Sequence, residues 1–170
     1  MGYRRSTALT VFGLVGGLLL GLLLEVPLSL AEEAAPVEIP ASALAFVQDH
    51  HLGESLGWLG YQVASRTVTF TTIVETVGRT KAQEIVQDEL QYLQPQYQQE
   101  WDRNLAAAYA ASFSSEELQA LDVGNPAPDI ARKFKDKQRD VGLNMKERSS
   151  ELLKVYVSTA LDNALKKAKP

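Results

Sequence analysis

Only two histidines occur in the 170-residue sequence, and they are adjacent, at His50 and His51, directly after Asp49. Histidine is the side chain best suited to proton transfer near neutral pH and to metal binding. Neighbouring residues of a helix project about 100° apart, so the two rings do not naturally converge on one metal. The stretch predicts a partly exposed helix end rather than a metal or acid–base site.

A second candidate for chemistry is the segment FSSEEL, which begins at Phe113 and places a serine beside two carboxylates. A nucleophilic serine needs an adjacent base, and no histidine lies near this one in sequence. With Ser114 as the N-cap, Glu117 is the third helical residue of an S-x-x-E capping box. Phe113 and Leu118 then occupy the two positions of a hydrophobic staple. We therefore predict the start of a helix and not a reactive site.

No other stretch indicates catalysis or a bound cofactor. The sequence has no cysteine, which excludes disulfides and thiolate metal sites. It also lacks a glycine-rich phosphate loop, an H-E-x-x-H arrangement and a G-x-S-x-G elbow. The formal net charge of -4 argues against a nucleic-acid partner, because such proteins usually show a basic surface. We predict no catalytic, cofactor-binding or metal-binding residue.

An aromatic row repeats every four residues before this segment, at Tyr97, Trp101, Leu105, Tyr109 and Phe113. Such rings could stack on sugars or peptides, but aromatic residues at helical spacing are more often part of a core. Four residues overshoot one helical turn by about 40°, so the row winds around its helix. The spacing predicts burial between several neighbouring helices.

Two basic stretches are predicted to have no binding role. The stretch RKFKDKQR, from Arg132 to Arg139, is interrupted by Asp136 and followed by Asp140, which is typical of a solvated helix face. Three lysines near the C-terminus suit the negative end of a helix dipole, at Lys166, Lys167 and Lys169.

The elements that position these residues are predicted to be helices throughout. Apolar residues recur at helical spacing at Leu56, Leu59, Val63, Phe70, Val74 and Val77. Composition here favours a strand, but the period persists too long for an ordinary strand, so we predict one helix from 56 to 77. An earlier helix is predicted from a Ser42 cap to Leu52. Gly53, Gly57 and Gly60 either form a turn or let two helices approach closely.

Further helices follow along the chain. The helix over residues 82–94 should stop or kink at Pro95, because proline lacks an amide donor and clashes with the preceding turn. After the FSSEEL helix, Gly124 suits a helix C-terminus and Pro126 prevents continuation. Pro128 can open the last helix, which Gly142 can bend. The sequence predicts an all-α fold, a small bundle of five or six helices after an N-terminal signal segment.

The N-terminus matches a cleavable export signal. Arg4 and Arg5 precede an uncharged apolar run from Val11 to Leu24, and the small residues Ser29 and Ala31 occupy the two positions that a signal peptidase reads. Basic, apolar and small-residue regions in this order are the secretory pattern. We predict cleavage near Ala31 and a periplasmic or secreted mature protein.

The predicted domain organisation is a signal peptide at 1–31, a linker at 32–41 and a single helical domain at 42–168. The alternative is an uncleaved membrane anchor. The apolar run is shorter than the roughly 20 residues that cross a bilayer, and Glu25 closes it. On the cleaved interpretation, the protein contacts a membrane only through the N-terminal segment before cleavage.

The segment LAAAYAASFSSEELQAL resembles the core signature of a bacterial family of exported proteins, domain-of-unknown-function family 2059. The matching positions are Tyr109, Phe113, Ser114, Glu117 and Leu118. The resemblance implies a signal peptide joined to a small helical domain, with no established activity and no catalytic residues. Family members usually continue with an F-Y-x-S-P-x-G-x-K-like segment, whereas this chain has LDVGNPAPDIARKF, which indicates a divergent branch.

Three hypotheses about function follow. The leading one is an exported, periplasmic helical protein of a Gram-negative bacterium that acts as a non-enzymatic interaction or binding module, with an unknown protein or envelope partner. The second is a cell-envelope enzyme that uses dispersed acids with His50 or His51. The third is a membrane-tethered structural protein that keeps its N-terminal helix.

Overall fold

The computed structural model describes residues 38–124 and 126–169, which lie in one compact unit. This part of the chain contains six α-helices and no strand. The helices are α1 (Ala41–Asp49), α2 (Leu56–Ala64), α3 (Val68–Val77), α4 (Arg79–Ala110), α5 (Ser115–Asp122) and α6 (Pro128–Ala168), with a 3-10 turn at Leu52–Ser55. The predicted all-α fold of five or six helices is confirmed. The predicted signal peptide lies outside the described residues.

The two long helices, α4 and α6, form an antiparallel pair against which the shorter helices pack. The side chain of Asn104 donates to the carbonyl of Arg148 at 3.4 Å, and the hydroxyl of Tyr156 donates to the carbonyl of Leu90 at 2.7 Å. Residue numbers therefore rise along α4 while they fall along α6. The helices α1, α2 and α3 pack on α4, and α2 and α3 also reach α6.

The helix α4 runs through Pro95 without a break, so the predicted stop at this residue is wrong. Proline removes the amide that would bond the carbonyl of Gln91. Packing on both sides of the proline outweighs that loss, because Leu93 is buried and Tyr97 lies with its ring 5.2 Å from that of Tyr156. Most helical stability in proteins comes from such tertiary packing rather than from local propensity.

The helix predicted from 56 to 77 is instead two helices, α2 and α3. The break falls at Thr67, whose hydroxyl donates to the carbonyl of Ala64 at 2.7 Å and accepts from the amide of Phe70 at 3.1 Å. Threonine side chains can satisfy backbone groups locally and so compete with the helix. The same residue closes the end of α2 and caps the start of α3, so the helical period continues across a change of direction.

Two smaller predictions about helix boundaries are also wrong. The first helix begins at Ala41 after Pro40, and Ser42 does not cap it; the hydroxyl of Ser42 has no hydrogen-bond partner in the described part of the chain. That helix ends at Asp49 rather than at Leu52. Helix α6 continues through Gly142 from Pro128 to Ala168, and the predicted bend at this glycine stays a prediction.

Three glycines lie directly against α4, at Gly53, Gly57 and Gly60, and the last of them also lies against α6. A β-carbon on Gly53 would overlap the carboxylate of Asp102, and one on Gly57 would lie 2.8 Å from Oε1 of Gln94. A β-carbon on Gly60 would lie 2.7 Å from Cε1 of Tyr156. Close approach, one of the two predicted roles, is therefore realised at all three positions, and Gly53 also lies in the 3-10 turn.

The aromatic row of α4 is part of the core, as predicted. Trp101, Tyr109 and Phe113 are buried, and Tyr97 and Leu105 are partly buried against the same cluster. The most enclosed large side chain is Tyr156 of α6, and this burial raises the pKa of its hydroxyl to about 12.

Candidate functional site

The predicted capping box is present at the start of α5. The hydroxyl of Ser114 accepts from the amide of Glu117 at 3.3 Å, and the Glu117 carboxylate accepts from the amide of Ser114 at 2.9 Å. Phe113 and Leu118, the two staple positions, are both buried in the hydrophobic core. The FSSEEL segment therefore fixes where α5 begins.

Lys133 ties this segment to α6. Its ammonium lies 2.7 Å from Oε2 of Glu117 and 5.2 Å from the centre of the Phe113 ring. The Lys133 hydrogen bond, followed by that from the Ser114 amide, lowers the pKa of the Glu117 carboxyl. The sequence predicts a solvated basic face here; the side chain of Lys133 is 38% exposed and in addition pairs with Glu117. This pairing could not be found from sequence, since no local pattern shows that α5 lies beside α6.

Tyr109, the remaining residue of the family-like signature, lies among aromatic rings from other helices. Its ring stacks on Phe134 with a centroid distance of 6.3 Å and an interplanar angle of 8°. Phe46 of α1 meets it edge-on at 5.2 Å. Burial raises the pKa of the Tyr109 hydroxyl. The five signature residues thus join α1, α4, α5 and α6 by packing and capping.

The two histidines face different acids. Nε2 of His50 lies 3.2 Å from Oδ1 of Asp122 at the end of α5, whereas Nδ1 of His51 lies 3.1 Å from Oε1 of Glu54. Over residues 38–124 and 126–169, no group of three or more histidine, aspartate or glutamate side chains could hold a metal ion. The histidine pair does not converge on one site.

A groove of about 560 Å³ opens between α2, α4 and α6. Its floor is the middle of the aromatic row, at Trp101, Leu105 and Tyr109 of α4. Leu59 and Val63 of α2 line it from one side. We call this space the α2/α4/α6 groove. Its size lies within the range of roughly 300–1,000 Å³ that small-molecule sites occupy.

Helix α6 lines the groove with two rows of residues at four-residue spacing. The inner row is buried or partly buried, at Val141, Met145, Ser149 and Leu153. The outer row is exposed, at Gln138, Gly142, Lys146, Ser150 and Lys154. Residues four apart lie on successive turns of the helix, and each row drifts by about 40° per step, so a mainly apolar wall and a polar edge wind together along α6.

Two buried hydrogen-bond donors in the groove lining lack an oxygen acceptor. The indole N–H of Trp101 is buried and has no hydrogen-bond partner in the described residues. Within the part of the chain that the structure describes, the hydroxyl of Ser149 hydrogen-bonds to the sulfur of Met145, at 3.4 Å, and to no oxygen. A thioether is a weak acceptor, and a buried donor without a good partner costs about 1–3 kcal/mol.

Both charged side chains that line the groove are lysines, Lys146 and Lys154. Lys146 forms no ion pair within the described part of the chain. Lys154 lies 3.4 Å from Glu151, and both of these side chains are about three-quarters exposed, so their pairing is screened by water. The edge of the groove is therefore positively charged.

A buried carboxylate lies outside the groove, and the sequence does not indicate it. Glu89 of α4 is only 3% exposed and pairs with Lys167 near the end of α6. This carboxylate raises the pKa of the Lys167 ammonium. Lys167 was expected to serve the helix dipole alone, whereas it neutralises a charge within the bundle.

Comparisons with models of known protein families, with curated proteins and with solved structures each found no match. The family resemblance of the FSSEEL region therefore stays a prediction. Among the helices of the described residues, none combines the length and the apolar character needed to cross a membrane.

Proposed function

We propose that this protein is an exported, non-enzymatic binding module whose binding surface is the α2/α4/α6 groove. The observation that carries the proposal is the groove itself, a space of about 560 Å³ with an apolar floor and wall and a polar edge. A concave, mainly apolar site with a few polar groups is the usual form of a small-ligand site. The ligand accordingly has a substantial apolar part.

The chemistry of the lining supports binding rather than turnover. Among the described residues that line the groove there is no histidine, aspartate or glutamate. Ser149 and Ser150 supply hydroxyls, but a serine nucleophile needs a base within hydrogen-bond reach. A tyrosine hydroxyl is protonated at neutral pH, and burial moves the pKa of Tyr109 further from neutrality, so this hydroxyl is a hydrogen-bonding group and not a base.

A neutral hydrophobic dye tests the groove directly. Gly142 lies on its edge, and a β-carbon there would meet no atom within 4 Å. Gly142→Phe should fill part of the groove and weaken the binding of N-phenylnaphthylamine, measured by the rise in dye fluorescence. Gly142→Ala, which adds only a methyl group at the same position, is the matched control and should bind the dye like the parent protein. Equal dye binding by all three proteins would place the apolar site elsewhere.

The export part of the proposal rests on the sequence, in the order of basic, apolar and small residues before Ala31. N-terminal analysis of the protein recovered from an exporting bacterial host should give Glu32 as the first residue. Carbonate extraction should release the protein into the soluble fraction. Retention of Met1 together with resistance to extraction would support the membrane-tethered alternative instead.

We also propose that the chain is a divergent member of domain-of-unknown-function family 2059. The support is the residue pattern at Tyr109, Phe113, Ser114, Glu117 and Leu118. Their joint structural role is compatible with a shared fold, since each contributes to packing or capping at one junction. A solved structure of a family member with a different helix order around its F-[ST]-x-x-E-L segment would argue against membership.

A further inference from the structure

We infer that the α2/α4/α6 groove binds a single-chain anionic amphiphile, a long-chain carboxylate, with its chain along α6 and its head at the lysine edge. This inference rests on the proposed binding function and narrows it to one class of ligand. It is argued from the shape of the groove, the charge of its edge and the donors in its lining.

The shape of the groove suits one extended chain. The residues of α6 that line it run from Gln138 to Lys154, about 24 Å along the helix axis at 1.5 Å per residue. That length exceeds what a compact cavity of about 560 Å³ would span, so the groove is elongated along α6. An extended alkyl chain can lie along an elongated, mainly apolar groove of this kind.

The charge of the edge selects the head group. Lys146 and Lys154 both line the groove, eight residues apart on α6, about 12 Å along the axis and about 80° around it. No carboxylate of the described residues lines the groove; Glu151 lies 3.4 Å from Lys154 and offsets part of that charge, whereas Lys146 forms no ion pair in the described part of the chain. An anionic head is attracted to this edge, whereas a cationic head is repelled.

The hydrogen-bonding groups of the lining point to the same class. The indole N–H of Trp101 and the hydroxyl of Ser149 are donors without an oxygen acceptor. A carboxylate only accepts hydrogen bonds, and an ammonium only donates them. The lysines at the edge and the two hydrogen-bond donors in the lining thus both favour a carboxylate over an amine.

The test uses Trp101 as the reporter of binding. The chain has two tryptophans, and the other, Trp58, is 65% exposed and does not line the groove. The Trp58→Phe variant, recovered from an exporting host, leaves Trp101 as the only indole. A brominated long-chain fatty acid quenches a nearby indole, and its alcohol and amine analogues have the same chain. Below their micelle concentrations, the acid should quench Trp101 at the lowest concentration, the alcohol next and the amine last.

Charge reversal tests the head-group assignment. Lys146→Glu combined with Lys154→Glu should reverse the order, so that the amine binds better than the acid. Neutralisation with Lys146→Gln and Lys154→Gln should weaken acid binding by about five-fold, since two exposed charge contacts contribute modestly. The control carries Lys135→Glu and Lys166→Glu, which make the same charge change at exposed positions of α6 outside the groove. It should keep the parent order of binding.

The outcomes separate this inference from the proposed function. If acid, alcohol and amine quench Trp101 equally, or if charge reversal leaves their order unchanged, the carboxylate assignment is wrong while an apolar binding groove stands. If none of them quenches Trp101 and the neutral dye does not report the groove either, the proposed function fails as well. A reversed order in the groove variant, with the parent order in the control, establishes the assignment.

Discussion

Replacing Gly60 by alanine tests how closely α2 lies against the long helices. A β-carbon at this position would lie 2.7 Å from Cε1 of Tyr156 and 3.1 Å from Cδ2 of Leu90. The tyrosine ring cannot easily withdraw, because it is fully buried and its hydroxyl bonds the carbonyl of Leu90 at 2.7 Å. Overpacking of this kind costs about 1–3 kcal/mol. Alanine recovers about 0.5–1 kcal/mol of helix propensity, so the two ranges give a net loss of up to about 2.5 kcal/mol, and we expect about 1 kcal/mol.

The matched control is the same substitution at Gly142 of α6. This glycine also lies within a helix, but an added β-carbon would meet no atom within 4 Å. Only the propensity effect remains, so Gly142→Ala should stabilise the protein by about 0.5–1 kcal/mol. One chemical change should thus have opposite effects on the free energy of unfolding at the two positions.

Urea unfolding followed by circular dichroism measures both variants against the parent protein. The unfolding midpoint should fall for Gly60→Ala and rise for Gly142→Ala, with similar denaturant slopes. A Gly60→Ala protein as stable as its parent would refute the close packing of α2 on Tyr156. If both variants were less stable than the parent protein, the space around the added β-carbon would not be what decides whether alanine stabilises or destabilises the protein.

Three further predictions concern polar groups. Ser114→Ala should lower the free energy of unfolding by about 1 kcal/mol through loss of the helix cap, measured by urea titration; an unchanged midpoint would contradict this. The hydroxyl of the buried Tyr156 has a pKa of about 12, whereas an unfolded tyrosine ionises near pH 10. The free energy of unfolding should therefore fall by about 2–3 kcal/mol between pH 10 and pH 12, and the fall should be smaller in Tyr156→Phe. Lys167→Met should destabilise the protein by leaving Glu89 unpaired, and the same substitution in a Glu89→Gln background should cost less; equal costs in a double-mutant cycle would refute the pairing.

Features encoded within one turn of helix could be predicted from sequence. The capping box needs only Ser114, Glu117 and the residues between them, and the structure has both of its hydrogen bonds. The all-α fold follows from apolar spacing that persists within each helix. Close packing at Gly60 was one of two predicted roles, since a missing side chain indicates available space without naming the neighbour that fills it.

Features decided by tertiary contacts could not be predicted in this way. The rule that proline ends a helix holds for an isolated chain, whereas α4 is held on both sides of Pro95 by packing. The break at Thr67 was missed because apolar spacing continues across it. Propensity is overridden wherever burial contributes more than the local preference.

The groove has one part that could be predicted from sequence and one part that is decided by tertiary contacts. The aromatic row through Trp101 and Tyr109 was visible in the sequence and was assigned to the core, which is correct for both residues. Sequence does not show on which side the neighbouring helices leave that row uncovered. The residues of the outer row recur every four positions in the sequence, at Gln138, Gly142, Lys146, Ser150 and Lys154. Only the position of α2 in the fold makes this row the edge of a groove.

The order of the helices along the chain also determines when the protein can fold. Tyr156, in the last helix, is the residue against which α2 and α4 close, at Gly60 and at Leu90. A chain emerges from its N-terminus first, so the short helices α1, α2 and α3 exist before the surface that buries them. Helices of nine or ten residues are marginal alone in water. The helices α2 and α3 can therefore complete their packing only after the C-terminal helix α6 is present.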